Sequence, residues 1–474
     1  MGAESTRDRR RTFSFTCPLR TGRSPHHARR PFFRVLFFIA VFFTLVSQAS
    51  VVRGAVAPVG QIPTITVSVT PSAFALPILL VNDLAEWKDF GIQVHVKVSS
   101  GGAEQLDGAS GNAWDVAVMD PLFAFRGGNE GDIAIVGVAG NLAGALSLLF
   151  RKGQTAPFPV KSEAGFTGRR FAVAVPSAEH FYLTASIQDH GIRAPQMPVT
   201  EPGGADPMRI LSEGRAEVGL LREPFAQILL GKGWVQAEEF RKNRIFLPTC
   251  LVATASYADT RKTLVLRWLE GYSRGIRIIR KDPAKAAIRL RQFYRETLKE
   301  DIPETMLIRE IQEIFYFDLQ ERERLFRAEA GKASPMESMA RTLTAYLLHQ
   351  KVITEAQESS TYLLAQLCDQ LSALHGEADA QLKKTEAAIR ETEKVGAPVR
   401  AFWKTWEEAR VQIDDGRGCL TVIGILSDLQ RSAEQSRAET LRLVKFRRIE
   451  AGFGMLLLLY YGGYFLCWKR KKGS

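Results

Sequence analysis

Cysteine is scarce in this 474-residue chain: there are five, and no two stand in a C-x-x-C pair, so zinc-knuckle and dithiol redox patterns are missing. Also absent are H-E-x-x-H, a P-loop and a G-x-G-x-x-G after a strand. The seven histidines, with His26 and His27 adjacent, show no metal-ligand spacing. These gaps argue against an enzyme, and no cofactor or metal is expected. The body of the chain has no interleaving of basic and aromatic residues, so the net charge of +12 does not point to nucleic acid. Much of that charge lies in an Arg-rich head, from Arg7 to Arg34, and in the tail Lys469-Arg470-Lys471-Lys472. An apolar fraction of 46% with 24% charged residues describes an ordinary globular protein, long enough for two lobes with accessories. Cys17 precedes one hydrophobic segment and Cys467 lies inside another, while Cys250 stands alone. Only Cys368 and Cys419 share a region where a disulfide could persist, the alternative being two free thiols.

Long hydrophobic runs are few but well placed. After Arg34 comes Val35-Leu36-Phe37-Phe38-Ile39-Ala40-Val41-Phe42-Phe43, with small residues following at Ser47, Ala49 and Ser50. A basic head, an apolar core and a small-residue exit describe a secretory signal peptide or an uncleaved signal anchor over 1–57. The second run, 451–468, includes Met455-Leu456-Leu457-Leu458-Leu459 and carries no charge, so it is expected to be a transmembrane helix ahead of a basic cytoplasmic tail, 469–474.

Between them the chain alternates. Ile65-Thr66-Val67-Ser68-Val69 is β-branched and ends at a turn. A helical stretch follows, then the strictly alternating strand Ile92-Gln93-Val94-His95-Val96-Lys97-Val98, broken at Ser99-Ser100-Gly101-Gly102. Asp115-Val116-Ala117-Val118 and 133–138 read as strands, and Asp120-Pro121 opens a helix. A second round runs from Phe171-Ala172-Val173-Ala174-Val175 through Glu217-Val218-Gly219-Leu220 to a helix at Glu223-Pro224, and 255–352 reads as nearly all helical. Two βα rounds of one order imply two α/β lobes.

The turn Thr70-Pro71-Ser72, Phe90-Gly91-Ile92 leading to Ser99-Gly101-Gly102, the Gly111 to Asp115 spacing, Phe166-Thr167-Gly168-Arg169-Arg170-Phe171-Ala172-Val173 and Gly214-Arg215-Ala216-Glu217-Val218 with Glu223-Pro224-Phe225 together resemble a family. It is that of the solute-binding proteins of nitrate, sulfonate, taurine and thiamine-precursor ABC importers. The chain departs from it where Glu217 replaces an Asp and where the first turn lacks a Gly-aromatic pair. The resemblance implies a two-lobed type II periplasmic-binding-protein fold with a hinge over 58–352. Lobe 1 would combine about 63–145 with 254–352, and lobe 2 would be about 146–253. Cleft loops at strand ends would then offer Thr70, Ser72, Ser99, Ser100, Gly101, Gly102 and Asp120 from lobe 1, and Ser177, His180, Arg222 and Glu223 from lobe 2. Hydroxyls donate and glycine lets backbone approach, which suits a small polar or anionic solute, with Arg222 available to an anion, while the acidic Asp120 and Glu223 leave a cationic or heterocyclic ligand open. The alternative is that Ser99, Ser100 and Ser177 cap helices, that His180 lies on a surface and that Arg222 pairs with Glu223.

From 353 to 450 the composition turns to Ala, Glu, Gln, Leu and Lys. Leu364, Leu367, Leu371 and Leu374 keep the heptad spacing of a coiled coil, with breakers at Gly396-Ala397-Pro398 and Asp414-Asp415-Gly416-Arg417-Gly418. A helical stalk folded back on itself is expected. The chain is thus expected at a bacterial inner membrane with its binding domain in the periplasm, capturing a small-molecule solute for an ABC permease. A sensor reporting to another membrane protein and a TRAP-type receptor stand as alternatives.

Overall fold

The computed structural model describes residues 62–151, 169–189, 206–237, 245–329 and 331–471, with side chains described as far as 463. The expected signal segment and the last three residues of the basic tail lie outside the described residues.

The chain opens with β1 (Thr64–Val69), whose Ile65, Val67 and Val69 are fully buried, and α1 (Leu76–Asp83). Next come β2 (Gln93–Val98), α2 (Gly102–Ser110), β3 (Val116–Met119), α3 (Pro121–Glu130) and β4 (Ile133–Asn141). Strands β2 and β3 pair in parallel with β1. The alternation in β2 has a simple cause, since it is the edge strand of the larger sheet and half of it meets solvent. Asp115 ties the strand ends, its carboxylate accepting from the Thr66 N–H at 2.7 Å.

A short turn, Leu142–Ala145, carries the chain into a second sheet. That sheet holds β5 (Leu146–Arg151), β6 (Phe171–Ala172), β7 (Val218–Arg222) and β8 (Trp234–Gln236) in the order β6-β7-β5-β8, with helices α4 (Ala178–Asp189), α5 (Pro207–Ser212) and α6 (Phe225–Gly231). The chain returns through β9 (Pro248–Thr254), which inserts between β3 and β4 and runs antiparallel to both. Helices α7 (Ala255–Thr260), α8 (Lys262–Lys281), α9 (Pro283–Leu298) and α10 (Glu304–Glu313) follow, then β10 (Phe315–Tyr316), α11 (Leu319–Phe326) and α12 (Pro335–His349). The larger sheet reads β10-β4-β9-β3-β1-β2. Asn141 pins the two crossings side by side: its amide oxygen accepts from Ala143 N–H at 3.2 Å and Leu247 N–H at 2.9 Å.

Beyond α12 come α13 (Ala365–Lys394), α14 (Arg400–Asp414) and α15 (Cys419–Lys471). The leucine stripe of α13 has no coiled-coil partner at its start. Leu367 and Leu371, each 1% exposed, belong to the same core as β1 and α8, and Leu364 and Leu374 pack against it. The preceding residues join the larger sheet directly, Ile135 N–H donating to the Tyr362 carbonyl at 2.7 Å. The extension therefore roots in the body rather than standing off it. Farther along, α13, α14 and α15 form a bundle around Ile389, Val399, Leu429 and Ala433, with Thr385 and Thr392 hydroxyls donating to carbonyls of α15 at 3.1 and 3.0 Å. The breaks between these helices fall at glycines of positive φ, Gly396 at +80° and Gly418 at +61°. At Gly418 a Cβ would also lie 2.1 Å from the Asp89 carbonyl oxygen.

No helix among the described residues is long and apolar enough to cross a membrane. The expected span, 451–468, lies inside α15. It includes Gly452, Gly454, Gly462 and Gly463, and its side chains from 464 on are outside the described residues. The structure does not provide the transmembrane helix anticipated there. Nor is there a disulfide between Cys368 and Cys419, which are both buried free thiols.

Candidate binding cleft

A cavity of about 240 Å³ lies where the loops after β1, β2 and β3 face the end of β7. It gathers Thr70, Ser72, Ser100, Gly101, Gly102 and Asp120 from the larger sheet, with Arg222 and Glu223 from the smaller one. Gly102 is required by close packing, because a Cβ there would sit 2.2 Å from the Phe123 ring, which also lines the cavity. Ser100 is committed locally: its hydroxyl and its N–H both donate to Glu104 at 2.7 Å, so it presents backbone rather than a free hydroxyl.

Three of the anticipated residues lie elsewhere. The Ser99 hydroxyl is buried against that of Ser68 at 3.0 Å. Ser177 caps α4, accepting from His180 N–H at 3.0 Å, and borders a neighbouring cavity of about 370 Å³ instead. His180 turns its Nδ1 to the Tyr346 hydroxyl at 2.7 Å, and burial holds its pKa below the ordinary histidine value.

Arg222 is not free to receive an anion. It donates to Glu179 of α4 at 2.5 Å and to Asp120, at the start of α3, at 2.6 Å, so it joins the two sheets' elements across the cavity. Burial pushes Asp120 above the ordinary aspartate value, outweighing the pull of Arg222, with the neighbouring Glu179 adding to the rise. Burial also works on Glu179, but there the Arg222 charge and hydrogen bond win and the value falls. Burial opposes the charge on Arg222 as well, and the two carboxylates more than compensate, holding it firmly protonated. One cation thus serves two acids. Glu223 is tied inside the smaller sheet, accepting from Ser147 Oγ at 3.3 Å and Gln227 N–H at 3.0 Å.

The return segment supplies a part of the wall that local motifs do not reveal. Glu310 of α10, 1% exposed, lines the cavity and accepts from the Tyr294 hydroxyl at 2.7 Å, leaving its Oε2 with no partner. Burial, reinforced by the Glu223 charge, raises its pKa well above the ordinary glutamate value, so both disfavour the ionised form. Thr249 of β9 also lines the cavity with a buried hydroxyl that has no partner. The one local signal for Glu310 is an acid on an apolar helical stripe, with Leu307, Ile311 and Ile314. The cavity wall thus includes a carboxyl disfavoured from ionising and a threonine hydroxyl, each with an unpartnered oxygen, beside a fully engaged arginine.

No protein-family model matches the chain, and no curated protein matches its sequence. Solved structures do. The periplasmic aliphatic sulphonate binding protein SsuA from Escherichia coli superposes with a TM-score of 0.51 at 12% identity, covering 65% of this chain and 99% of that one. The periplasmic nitrate-binding protein NrtA from Synechocystis gives 0.49 at 12% identity, covering 66% and 89%. The alkanesulfonate-binding protein SsuA from Xanthomonas axonopodis gives 0.48 at 12% identity, covering 64% and 97%. The body of the chain therefore has the α/β periplasmic-binding-protein fold. At this identity the likeness is one of fold.

Proposed function

We propose that the chain is an extracytoplasmic receptor for a small solute, tethered to a bacterial inner membrane and delivering its cargo to an ABC-type importer. The observation that carries this reading is the cavity itself, walled by two sheets with a double crossing between them and spanned by Arg222. Two lobes of this kind close on a ligand by rotation about the crossings. The SsuA and NrtA proteins, binding proteins that share the layout, support the role.

The solute is polar and neutral or cationic. Of the polar, anionic, cationic or heterocyclic solutes left open by the sequence, this reading drops the anion. Arg222 already has the carboxylates of Asp120 and Glu179 at hydrogen-bond distance, and Glu223 and Glu310 line the same cavity, so among the described residues an entering anion would meet acids and no unpaired cation. A protonated Glu310 donates to a heterocyclic nitrogen, or gives up its proton to pair with an amine or amidine.

The tether rests on α15. Phe453, Met455, Leu456, Leu458 and Leu459 are each at least 64% exposed, around the whole circumference of the helix. Apolar surface of that extent marks contact with membrane or protein. Titration calorimetry on the purified chain tests the receptor reading, using amines, amidines and pyrimidines against taurine, alkyl sulfonates and nitrate. Binding confined to the first group is expected. Tight binding of nitrate or a sulfonate would defeat the charge argument, and no heat from any small solute would defeat the receptor.

A further inference from the structure

Outside the cleft, three side chains from distant parts of the sequence meet at the root of the helical extension. Glu270 belongs to α8, His375 to α13, and Cys419 is the first residue of α15. One ligand atom from each lies within 4.8 Å of the other two. The Cys419 sulfur is 3.3 Å from His375 Nδ1 and 3.9 Å from Nε2. Glu270 is 1% exposed and Cys419 is fully buried, while His375 is partly open. Glu270 Oε1 accepts from the Cys419 N–H, and its second oxygen is buried with no partner at all. A buried carboxylate oxygen left unsatisfied is costly unless something binds it. We propose that Glu270, His375 and Cys419 form a Zn²⁺ site that fastens the helical extension to the larger-sheet lobe.

The donor set is suited to this ion. Thiolate, imidazole and carboxylate are the three protein ligands that Zn²⁺ takes, and in a tetrahedral site with bonds of about 2.0–2.3 Å the donors stand roughly 3.5 Å apart. The sulfur and Nδ1 are already near that spacing, and the wider contacts need to close by about 1 Å. One thiolate and one carboxylate neutralise the ion. His375, on the open side, gives the ion its way in and leaves the fourth position for water. No local pattern marks the site, because its ligands are separated by more than a hundred residues and then by more than forty, and no pair sits on one helix.

The test uses the full-length chain, reduced and stripped with a chelator, then given Zn²⁺ alone. One ion per chain is expected, together with a rise in melting temperature. Co²⁺ in its place should show thiolate-to-metal charge transfer in the near ultraviolet. His375→Gln and Cys419→Ser should each weaken Zn²⁺ binding at least tenfold, about the loss seen when even an outer-shell partner is removed. Folded variants that bind as well as the parent would overturn the site, as would a parent chain that takes up no Zn²⁺ or a Co²⁺ complex without the sulfur band. Should both variants fail to fold, the spectrum of the parent chain decides alone.

Discussion

Burial and the neighbouring Glu223 charge both disfavour ionisation of Glu310, and this has a measurable sign. Its folded pKa lies above the unfolded value of about 4.3, so as pH rises past that value the unfolded chain releases this proton first. The contribution of Glu310 to stability is complete at low pH and falls by up to about 1.4 kcal/mol per pH unit until the folded group titrates. Glu310→Gln, which keeps the acceptor for Tyr294, should be stabilised relative to the parent at pH 8 more than at pH 5. Urea midpoints at the two pH values check this, and parallel curves would count against a buried protonated acid. Arg222→Met should cost roughly 2–4 kcal/mol, because it leaves Asp120 and Glu179 facing each other without their shared cation. Adding Asp120→Asn should recover part of the loss in a double-mutant cycle. At this scale the sequence revealed the loops but not the use of their side chains. Thr70, Ser72, Gly101, Gly102, Asp120, Arg222 and Glu223 could be located because each follows a recognisable strand. That Arg222 is engaged by Glu179, or that Glu310 completes the wall, depends on pairings across tens to hundreds of residues that no local pattern carries.

The strands with β-branched runs or strict alternation, β1, β2 and β3, were legible because their side chains meet two different environments or a flat packed face. β5 and β9 fall at the expected lobe boundaries and carry no strand signal, since a strand buried on both faces loses its period. The two-residue β10 was hidden inside a stretch read as helical. The root of α13 escapes local patterns for a related reason: a heptad stripe states that one face is buried, not what buries it. Here it is the core of the body, through Leu367, Cys368 and Leu371. A fragment ending at 352, where the body appeared to close from sequence, should therefore melt lower than one ending at 440, or precipitate. Leu371→Ala in the full chain should cost about 2–5 kcal/mol, as for other large-to-small changes in a packed core. Differential scanning calorimetry compares the three. A fragment to 352 as stable as the longer one would mean that α13 is an ornament on the core.

For the whole molecule, the exposed apolar run of α15 predicts where the protein is found. The full chain should sediment with membranes, and a chain stopped before Ala451 should appear in the soluble fraction if the signal segment is cleaved. Cell fractionation with a carbonate wash distinguishes the cases, and a full-length protein that washes off would remove the tether. Ligand affinity should be the same in both forms, because the cavity lies wholly within the body.

The 53 residues of α15 run without a break from Cys419, buried against the body beside Glu270, to the exposed apolar run. At about 1.5 Å per residue that is a rod of roughly 80 Å. A rod anchored at one end in a moving lobe is a lever: a small tilt of the short buried arm becomes a larger sweep of the far tip. If the lobe shifts when the cleft shuts, the news of it arrives at the distant end as displacement and torque, with no second messenger and no diffusing part. Delivery of cargo and mechanical reporting of its arrival would then be two readings of the same stroke.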